Sequence, residues 1–401
     1  MKSNRFLLIA AIGAIAFPSV ADDGVITPDS TGFKFTDVKV VKTTSVKDQN
    51  KSGTCWSFSG LSFLEDEVLR KTGKETDLSE MFVVRHCYDD KADKYVRTGG
   101  KINFAQGGGF ADVLYVLENY GFVPEEIYAG LNYGEKKHSH YEMFDGLEGY
   151  LNGVLKNGNK HLSTAWKKGF SSILDAYLGE LPSTFKYNGK TYTPQQYAKE
   201  IGLNAGDYIN ITSFTHHPFY TAFPLEIADN WLWKSTMNVP LDEFKAIVDN
   251  ALEKGYSVAW AADVSEGGFK WKEGYAINPE DISEEDLEGT ELSRWVKLSD
   301  KDREKKKFEK KGPQKEKKVT QEMRQKGFDN FETTDDHGMV IVGYAVDQEG
   351  NRYYKVKNSW DTNQIYDGYI YVSEPYFLEK TISVMVNKDA VPSSISSKFR
   401  N

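Results

Sequence analysis

The cysteine at position 55 lies where a nucleophile could be activated. It sits in the run "DQNKSGTCWSFSG", residues 48–60, with Gln49 six residues before it and Trp56 directly after it. A polar, glycine-containing loop enters a helix here, and the free N–H groups and dipole of a helix start favour negative charge. We therefore predict a thiolate at Cys55, with a lowered pKa. A buried structural thiol is the competing interpretation.

The chain has two cysteines, so Cys87 is the one partner that Cys55 could have for an intramolecular disulfide bond. A chain of 401 residues can bury a large core and does not need a covalent staple. A disulfide would also consume the proposed nucleophile. We therefore expect both thiols to be reduced in the active protein.

A thiolate nucleophile needs a proton donor for its leaving group, and His337 is the candidate. In "DDHGMVIVGY" it stands at the start of an apolar strand. Asn358, in "KVKNSW", lies on the next β-rich run, so a hairpin would bring it to His337 to orient the ring. Trp360 would shield their hydrogen bond from water. The side-chain amide of Gln49 and the N–H of Cys55 are the predicted oxyanion donors.

The other six histidines are given no catalytic role. His86 lies in a helical pattern and is interpreted as structural. His216 and His217 are adjacent, but no other residue stands at a metal-ligand spacing from them, so no metal site is predicted. Three histidines in polar stretches are expected at the surface: His138, His140 and His161.

Helical periodicity dominates the first part of the chain. Leu61, Leu64 and Val68 share one face of a helix from Cys55 to Arg70, which Gly73 should end. Further helices are predicted after Ser79, over about 111–119, from the capping box at Thr193 and Gln196, and over 241–252. Residues of about 135–255 are interpreted as a large helical insertion.

The last part of the chain changes to β-rich runs joined by turn residues, which predicts an antiparallel sheet. Helices first and sheet later indicate an α+β protein of two packed layers. Before the sheet, residues 280–291 hold seven acidic residues and residues 301–318 hold ten basic ones. We interpret both as one charged surface segment at about 280–325.

The N-terminus predicts export. Lys2 and Arg5 precede the apolar run "FLLIAAIGAIAF", and small residues at Ser19 and Ala21 follow it. This is typical of a signal peptide, residues 1–21, whose removal leaves a periplasmic or secreted protein starting near Asp22. No second apolar run is long enough for stable membrane insertion. The formal charge of −9 gives no basic signal for nucleic acid.

The order of these motifs resembles the papain superfamily of cysteine peptidases. The runs "CWSFSG", "QGGGF", "HGMVIVGY", "KNSW" and "DGYIYV" follow the family's order, and the resemblance covers about residues 38–392. The runs "GGGFADVLYVLENYGFVPEEIYAG" and "GYSVAWAADVSE" are similar to the bleomycin hydrolase and bacterial aminopeptidase C branch. The resemblance implies a papain-like fold over residues 22–401, with a helical layer, an antiparallel sheet or barrel layer, and the helical insertion.

The resemblance also implies roles for single residues. By matching position, Cys55 is the nucleophile, His337 the general acid and base, Asn358 the orienting residue and Gln49 the oxyanion donor. No metal or organic cofactor is implied. Asp361 departs from the pattern, since the family usually has glycine there, and export departs from a branch that is usually cytoplasmic. The residues expected to contact the substrate are Gly108, Gly109, Asp336 and Trp360.

The implied activity is hydrolysis of peptides through a thioester, foremost by an aminopeptidase. In this branch a C-terminal tail closes the cleft and presents its carboxylate. Here the tail "SSISSKFRN" is short and carries Lys398 and Arg400, so the helical insertion is the alternative wall. An endopeptidase, an acyl transferase and a non-catalytic binding protein of the same fold stay open. The branch often forms hexamers, so a homo-oligomer is a further expectation.

Overall fold

The computed structural model describes residues 26–158 and 161–400 of the chain. The signal peptide predicted at residues 1–21 lies outside this range. The helices of the described residues are α1 (Cys55–Thr72), α2 (Glu80–Arg97), α3 (Phe110–Asn119), α4 (Tyr141–Leu155), α5 (Ala165–Leu178), α6 (Pro194–Glu200), α7 (Leu241–Glu253), α8 (Gly289–Trp295), α9 (Asp300–Lys307), α10 (Gln321–Asp329), α11 (Glu374–Lys380) and α12 (Ser393–Ser396). Within the described part, no helix combines the length and apolar character that crossing a bilayer requires.

The strands are β1 (Thr36–Val40), β2 (Phe185–Tyr187), β3 (Lys190–Tyr192), β4 (Tyr208–Thr212), β5 (Ala222–Pro224), β6 (Ser235–Asn238), β7 (Val258–Ala262), β8 (Phe269–Lys270), β9 (Tyr275–Ala276), β10 (His337–Val346), β11 (Arg352–Lys357), β12 (Tyr369–Ser373) and β13 (Thr381–Asn387). The central order β4-β13-β7-β10-β11-β12 is antiparallel throughout. Two short edge pairs, β4 with β6 and β9 with β12, are parallel, so the whole sheet is mixed. The α+β prediction is confirmed.

Helix α1 joins the helical layer to the sheet. Its apolar positions Leu61, Leu64 and Val68 are buried, as the periodicity predicts. Gly73 ends the helix in the left-handed conformation, with φ of 72°, which glycine adopts without steric cost. At its N-terminal end the helix packs against β10, where a β-carbon at Gly338 would lie 2.6 Å from Ser59 Oγ. This close approach brings the start of α1 to the start of β10.

The segment 135–255 is only partly the helical insertion that its sequence suggested. Helices α4, α5 and α6 lie in it, but β4 pairs with β13 and extends the main sheet. Strands β5 and β6 continue that edge. The β-branched residues of "YINIT", residues 208–212, favour a strand, and the antiparallel partner β13 stabilises it. Helix α7 then packs its predicted apolar face into the core.

The charged segment at about 280–325 is not all surface. Arg324, in α10, is fully buried. Its Nε donates to the carbonyl oxygen of Ser213 at 2.8 Å and its Nη1 to that of Leu378 at 3.0 Å. The guanidinium also lies 4.5 Å from the centre of the Phe214 ring. The buried charge is tolerated because backbone oxygens from segments far apart in sequence accept its hydrogen bonds. The number of charged residues in a segment does not predict such contacts.

Candidate active site

Cys55 is the first residue of α1 and lines a cleft. The loop before it is held by Gln106, whose Oε1 accepts a hydrogen bond from the Gly53 N–H at 2.8 Å. A β-carbon at Gly338 would lie 3.5 Å from the Cys55 carbonyl oxygen, so the residue after His337 lies against Cys55. The two side chains predicted to exchange a proton therefore line the same cleft.

His337 begins β10, and its ring is held by Asn358. The distance from His337 Nε2 to Asn358 Oδ1 is 2.7 Å, and both residues are buried. Asn358 Oδ1 also accepts from the Ser359 N–H at 2.8 Å, which fixes the oxygen of the amide toward the ring. His337 Nε2 must then be the protonated nitrogen. This leaves the Nδ1 lone pair of His337 for the proton of Cys55.

Ser359, to which the sequence analysis gave no role, holds the predicted oxyanion donor Gln49 by two hydrogen bonds. Its hydroxyl donates to Gln49 Oε1 at 2.7 Å, and its carbonyl oxygen accepts from the Gln49 N–H at 2.9 Å. Gln49 Nε2 donates to the carbonyl oxygen of Ser52 at 2.8 Å. The amide has two N–H hydrogens, so one remains for an oxyanion in the cleft that Gln49 lines.

Aromatic rings cover the His337–Asn358 pair. The Trp360 ring centre lies 4.5 Å from that of His337, and Trp271 meets Trp360 edge-on at 5.4 Å. The next residue, Asp361, has φ of 69°, a conformation that explains why glycine suits this position. Aspartate tolerates it here because Asp361 Oδ1 accepts from the Thr362 N–H at 2.6 Å.

The glycine turn at residues 107–109 lines the same cleft as Cys55. A β-carbon at Gly108 would lie 2.9 Å from the Trp56 indole, so only glycine fits. Trp56 Nε1 donates to the carbonyl oxygen of Gln106 at 3.1 Å. The buried Lys91 ammonium also donates to the carbonyl oxygens of Ala105 and Gly107. These contacts hold the turn beside Trp56, the residue after the predicted nucleophile.

The structure brings nearly all of the predicted site residues to one cleft of about 1320 Å³. Asn358 lies behind His337 and does not line it. Asp336 lines the cleft, but its carboxylate accepts from the N–H groups of Val264 and Ser265 at 3.2 and 3.1 Å. The predicted residues that line the cleft are Gln49, Cys55, Gly108, Gly109, Asp336, His337 and Trp360.

Burial is the largest influence on the pKa of Cys55, the predicted nucleophile. It raises the pKa of Cys55 to about 12, although the N–H groups of Gly338 and Trp56 act in the opposite direction. Burial likewise lowers the pKa of His337 to about 4. The expected low pKa of the thiol is therefore not found.

Two acidic residues of the cleft were missed by the sequence reasoning. Asp229 comes from the loop between β5 and β6, and a β-carbon at Gly107 would collide with its carboxylate. Asn103 Nδ2 donates to Asp229 Oδ1 at 3.0 Å. Asp335 stands two residues before His337, and no described residue donates a hydrogen bond to its carboxylate. Burial and the charges of Asp229 and Asp336 raise the pKa of Asp335 to about 8.

Two histidines assigned to the surface are buried. His140 has no exposed area, and burial lowers the pKa of its ring to about 3. His138 packs edge-on against Phe58, and its carbonyl oxygen accepts from the Lys51 N–H at 3.0 Å. They are buried because this segment runs beside the loop that precedes Cys55. His161 is exposed, as expected, and Cys55 and Cys87 are both free thiols.

Comparisons with known proteins find similarity to cysteine peptidases. A papain family cysteine protease model matches residues 31–173, and a peptidase C1-like family model matches residues 317–401. Aminopeptidase C of Lactobacillus delbrueckii subsp. lactis is 22% identical, over 90% of this chain and 83% of that protein. Bleomycin hydrolase of Rattus norvegicus is 23% identical, over 87% and 82%. The crystal structure of PepW from Lactobacillus rhamnosis HN001 superposes with a TM-score of 0.68 at 20% identity, covering 90% and 84%.

Proposed function

This chain belongs to the papain family of cysteine peptidases, in the aminopeptidase C and bleomycin hydrolase branch, and from that premise we propose that it is an aminopeptidase. Its substrates are peptides with a free N-terminus, from which it removes the first residue. The observation that carries the proposal is the pair of carboxylates, Asp229 and Asp335, in the cleft beside the nucleophile. An aminopeptidase must offer negative charge to the α-ammonium group and must end its cleft near the substrate's first residue.

The wall loop, residues 225–234 between β5 and β6, meets both requirements. Asp229 lies against Gly107, the residue before the glycine pair expected to contact the substrate backbone. Ile227 of the same loop also lines the cleft. A peptide bound along the turn would therefore meet the wall loop, and its ammonium group would lie near the Asp229 carboxylate. The insertion thus contributes the wall, through a loop rather than a helix.

Charged residues of both signs line the cleft, since Glu273 follows Lys272 on the side opposite in sequence to the glycine turn. Asp229 lies at the glycine turn, whereas Lys270 and Lys272 flank Trp271, which contacts Trp360. An ammonium group at the acidic side would leave the carboxylate of a short peptide toward the lysines.

The sequence analysis considered a C-terminal tail that closes the cleft, but the tail packs elsewhere. Ile395, in α12, is buried, and Lys398 Nζ forms an ion pair with Glu243 Oε1 at 2.5 Å. The Arg400 N–H donates to the carbonyl oxygen of Tyr220 at 2.8 Å. No residue from 393 to 400 lines the cleft. We expect deletion of residues 393–401 to leave the preference for free N-termini unchanged.

The proposed reaction passes through a thioester on Cys55. Cys55 Sγ attacks the carbonyl carbon of the first residue while its proton passes to His337 Nδ1. The C=O electrons move to the oxygen, which accepts hydrogen bonds from the Gln49 amide and the Cys55 N–H. His337 returns the proton to the amine as the C–N bond breaks. Water, deprotonated by His337, then cleaves the thioester and releases the first amino acid.

The test compares dye-labelled peptides that differ only in having a free or an acetylated N-terminus. A hydrogen bond to a charged group contributes about 1.5–3 kcal/mol. At about 1.4 kcal/mol per tenfold in rate, Asp229→Asn should lower kcat/KM for the free peptide about 10- to 150-fold. The exposed Asp145→Asn is the matched control and should change nothing.

Several outcomes would replace the proposal. A wild-type protein that cleaves acetylated and free peptides equally well is an endopeptidase. Transfer of the acyl group to an added amine, in preference to water, would indicate an acyl transferase. If the protein binds peptides but does not cleave them, although its Cys55 is accessible to alkylating reagents, it is a binding protein.

A further inference from the structure

Two adjacent histidines outside the cleft converge on one carboxylate. His216 Nε2 lies 3.1 Å from Glu226 Oε2, and His217 Nε2 lies 2.8 Å from Glu226 Oε1. The three possible donor atoms all lie within 4.8 Å of one another. The spacing in the sequence did not predict this group, because the turn at Pro218 and strand β5 bring Glu226 back to the histidines.

We propose that His216, His217 and Glu226 bind one divalent transition-metal ion of the zinc class. Two imidazole nitrogens and a carboxylate oxygen are ligands that Zn²⁺ prefers, whereas Ca²⁺ and Mg²⁺ prefer oxygen ligands alone. The side chains are 27%, 35% and 56% exposed, so water can complete the coordination sphere.

The imidazole rings are held in place by packing. The His217 ring stacks on Phe223 with centres 4.1 Å apart, and the His216 ring is parallel to that of Phe328 at 5.6 Å. Asn238 Nδ2 donates to the carbonyl oxygen of His217 at 2.9 Å and fixes the backbone. Ligands held by packing lose little conformational freedom when a metal binds, which favours binding.

Binding requires the Nε2 lone pairs, so the ring protons must reside on Nδ1. Gln325 lies beside His216 Nδ1, with its Oε1 at 3.5 Å and its Nε2 at 3.1 Å. Gln325 Oε1 already accepts from the Thr215 N–H at 2.5 Å and Gln325 Nε2 donates to Asp329 Oδ1 at 2.7 Å, so the metal-binding tautomer requires Oε1 also to accept the His216 Nδ1 proton. Such partners commonly orient metal-binding histidines.

The site has a structural consequence for the cleft. Glu226 lies in the wall loop, directly before Ile227 and three residues before Asp229. A metal ion would attach the start of that loop to the segment after β4, which is anchored in the main sheet. The ion would therefore stabilise the cleft wall without contacting the reacting groups.

The test uses Zn²⁺ and the full chain carrying Cys55→Ala, since the nucleophilic thiol is itself a zinc ligand. After chelator treatment and addition of excess Zn²⁺, a desalted sample should retain one equivalent per chain and melt at a higher temperature. The variants His217→Ala and Glu226→Gln, made in the same background, should lose the retained metal and the shift in melting temperature.

The matched controls are the exposed His161→Ala and Glu75→Gln, which should keep both. Co²⁺ in place of Zn²⁺ should give visible absorption bands that Glu226→Gln abolishes, and Mg²⁺ should give no melting shift. The proposal is overturned if the Cys55→Ala protein retains no Zn²⁺. Retention that His217→Ala and Glu226→Gln leave unchanged would also overturn it. Glu226 is exposed, so its substitution should not prevent folding.

Discussion

We predict that the carboxyl group of Asp335, because it is held in the cleft, lowers the free energy of unfolding of the protein. Its carboxyl has an ordinary pKa of 3.8 and a folded-state pKa of about 8. Between these values the folded chain holds a proton that the unfolded chain has released. The free energy of unfolding therefore falls as the pH rises from about 4 to about 8. Below about pH 4 the carboxyl is protonated in both the folded and the unfolded chain, so it does not change the free energy of unfolding.

The magnitude follows from the two pKa values. Each pH unit between them corresponds to about 1.4 kcal/mol, which sets an upper limit of about 6 kcal/mol for complete ionisation. Asp335 is half-buried, and water in the cleft screens its charge. We therefore expect about half of that limit, roughly 3 kcal/mol, near pH 8. Asp335→Asn removes the ionisation and should stabilise the protein by this amount.

The assay is urea unfolding of wild-type and Asp335→Asn protein at several pH values. The difference in unfolding free energy should be near zero at about pH 4 and should grow toward about pH 8. The exposed Asp145→Asn should show no such growth. A difference that is independent of pH would refute the reasoning. The same variant should lose affinity for peptides with a free N-terminus, because an arriving ammonium group favours the charged carboxylate.

Three other outcomes are expected. Iodoacetamide should label Cys55 far faster than the fully buried Cys87, and equal rates would contradict the assigned nucleophile. Gln49→Ala should lower kcat about 10²- to 10³-fold with little change in KM, and an unchanged kcat would remove Gln49 from the oxyanion site. Protein recovered from an exported fraction should begin near Asp22 by mass spectrometry, and an intact Met1 there would contradict the predicted signal peptide.

The sequence was most informative where the site depends on local structure. Cys55 begins α1 as the loop-to-helix pattern indicates, and the β10–β11 hairpin places Asn358 beside His337. Helix periodicity and short turns depend on near neighbours, so a single sequence contains the information. The roles assigned to these residues remain predictions for the experiments above.

The remainder depends on contacts between distant segments. Asp229 approaches Gly107 only because the strands of residues 208–238 join the main sheet, and the helical pattern gave no sign of this. His138 and His140 are buried by the loop before Cys55 although their neighbours are polar. The pKa of Cys55 likewise depends on how deeply the cleft buries the thiol, and the start of a helix alone does not determine it.

The hydrogen bonds of Ser359 have an evolutionary consequence. One short segment holds both the amide bonded to His337, the predicted base, and the hydroxyl bonded to Gln49, the predicted oxyanion donor, since Asn358 and Ser359 are consecutive. A substitution that shifts this segment would impair both functions in a single step, and later changes to Gln49 would then cost little. Selection against such shifts should be strong while turnover is needed. Once turnover is no longer needed, the two functions should decay together in any descendant of this chain.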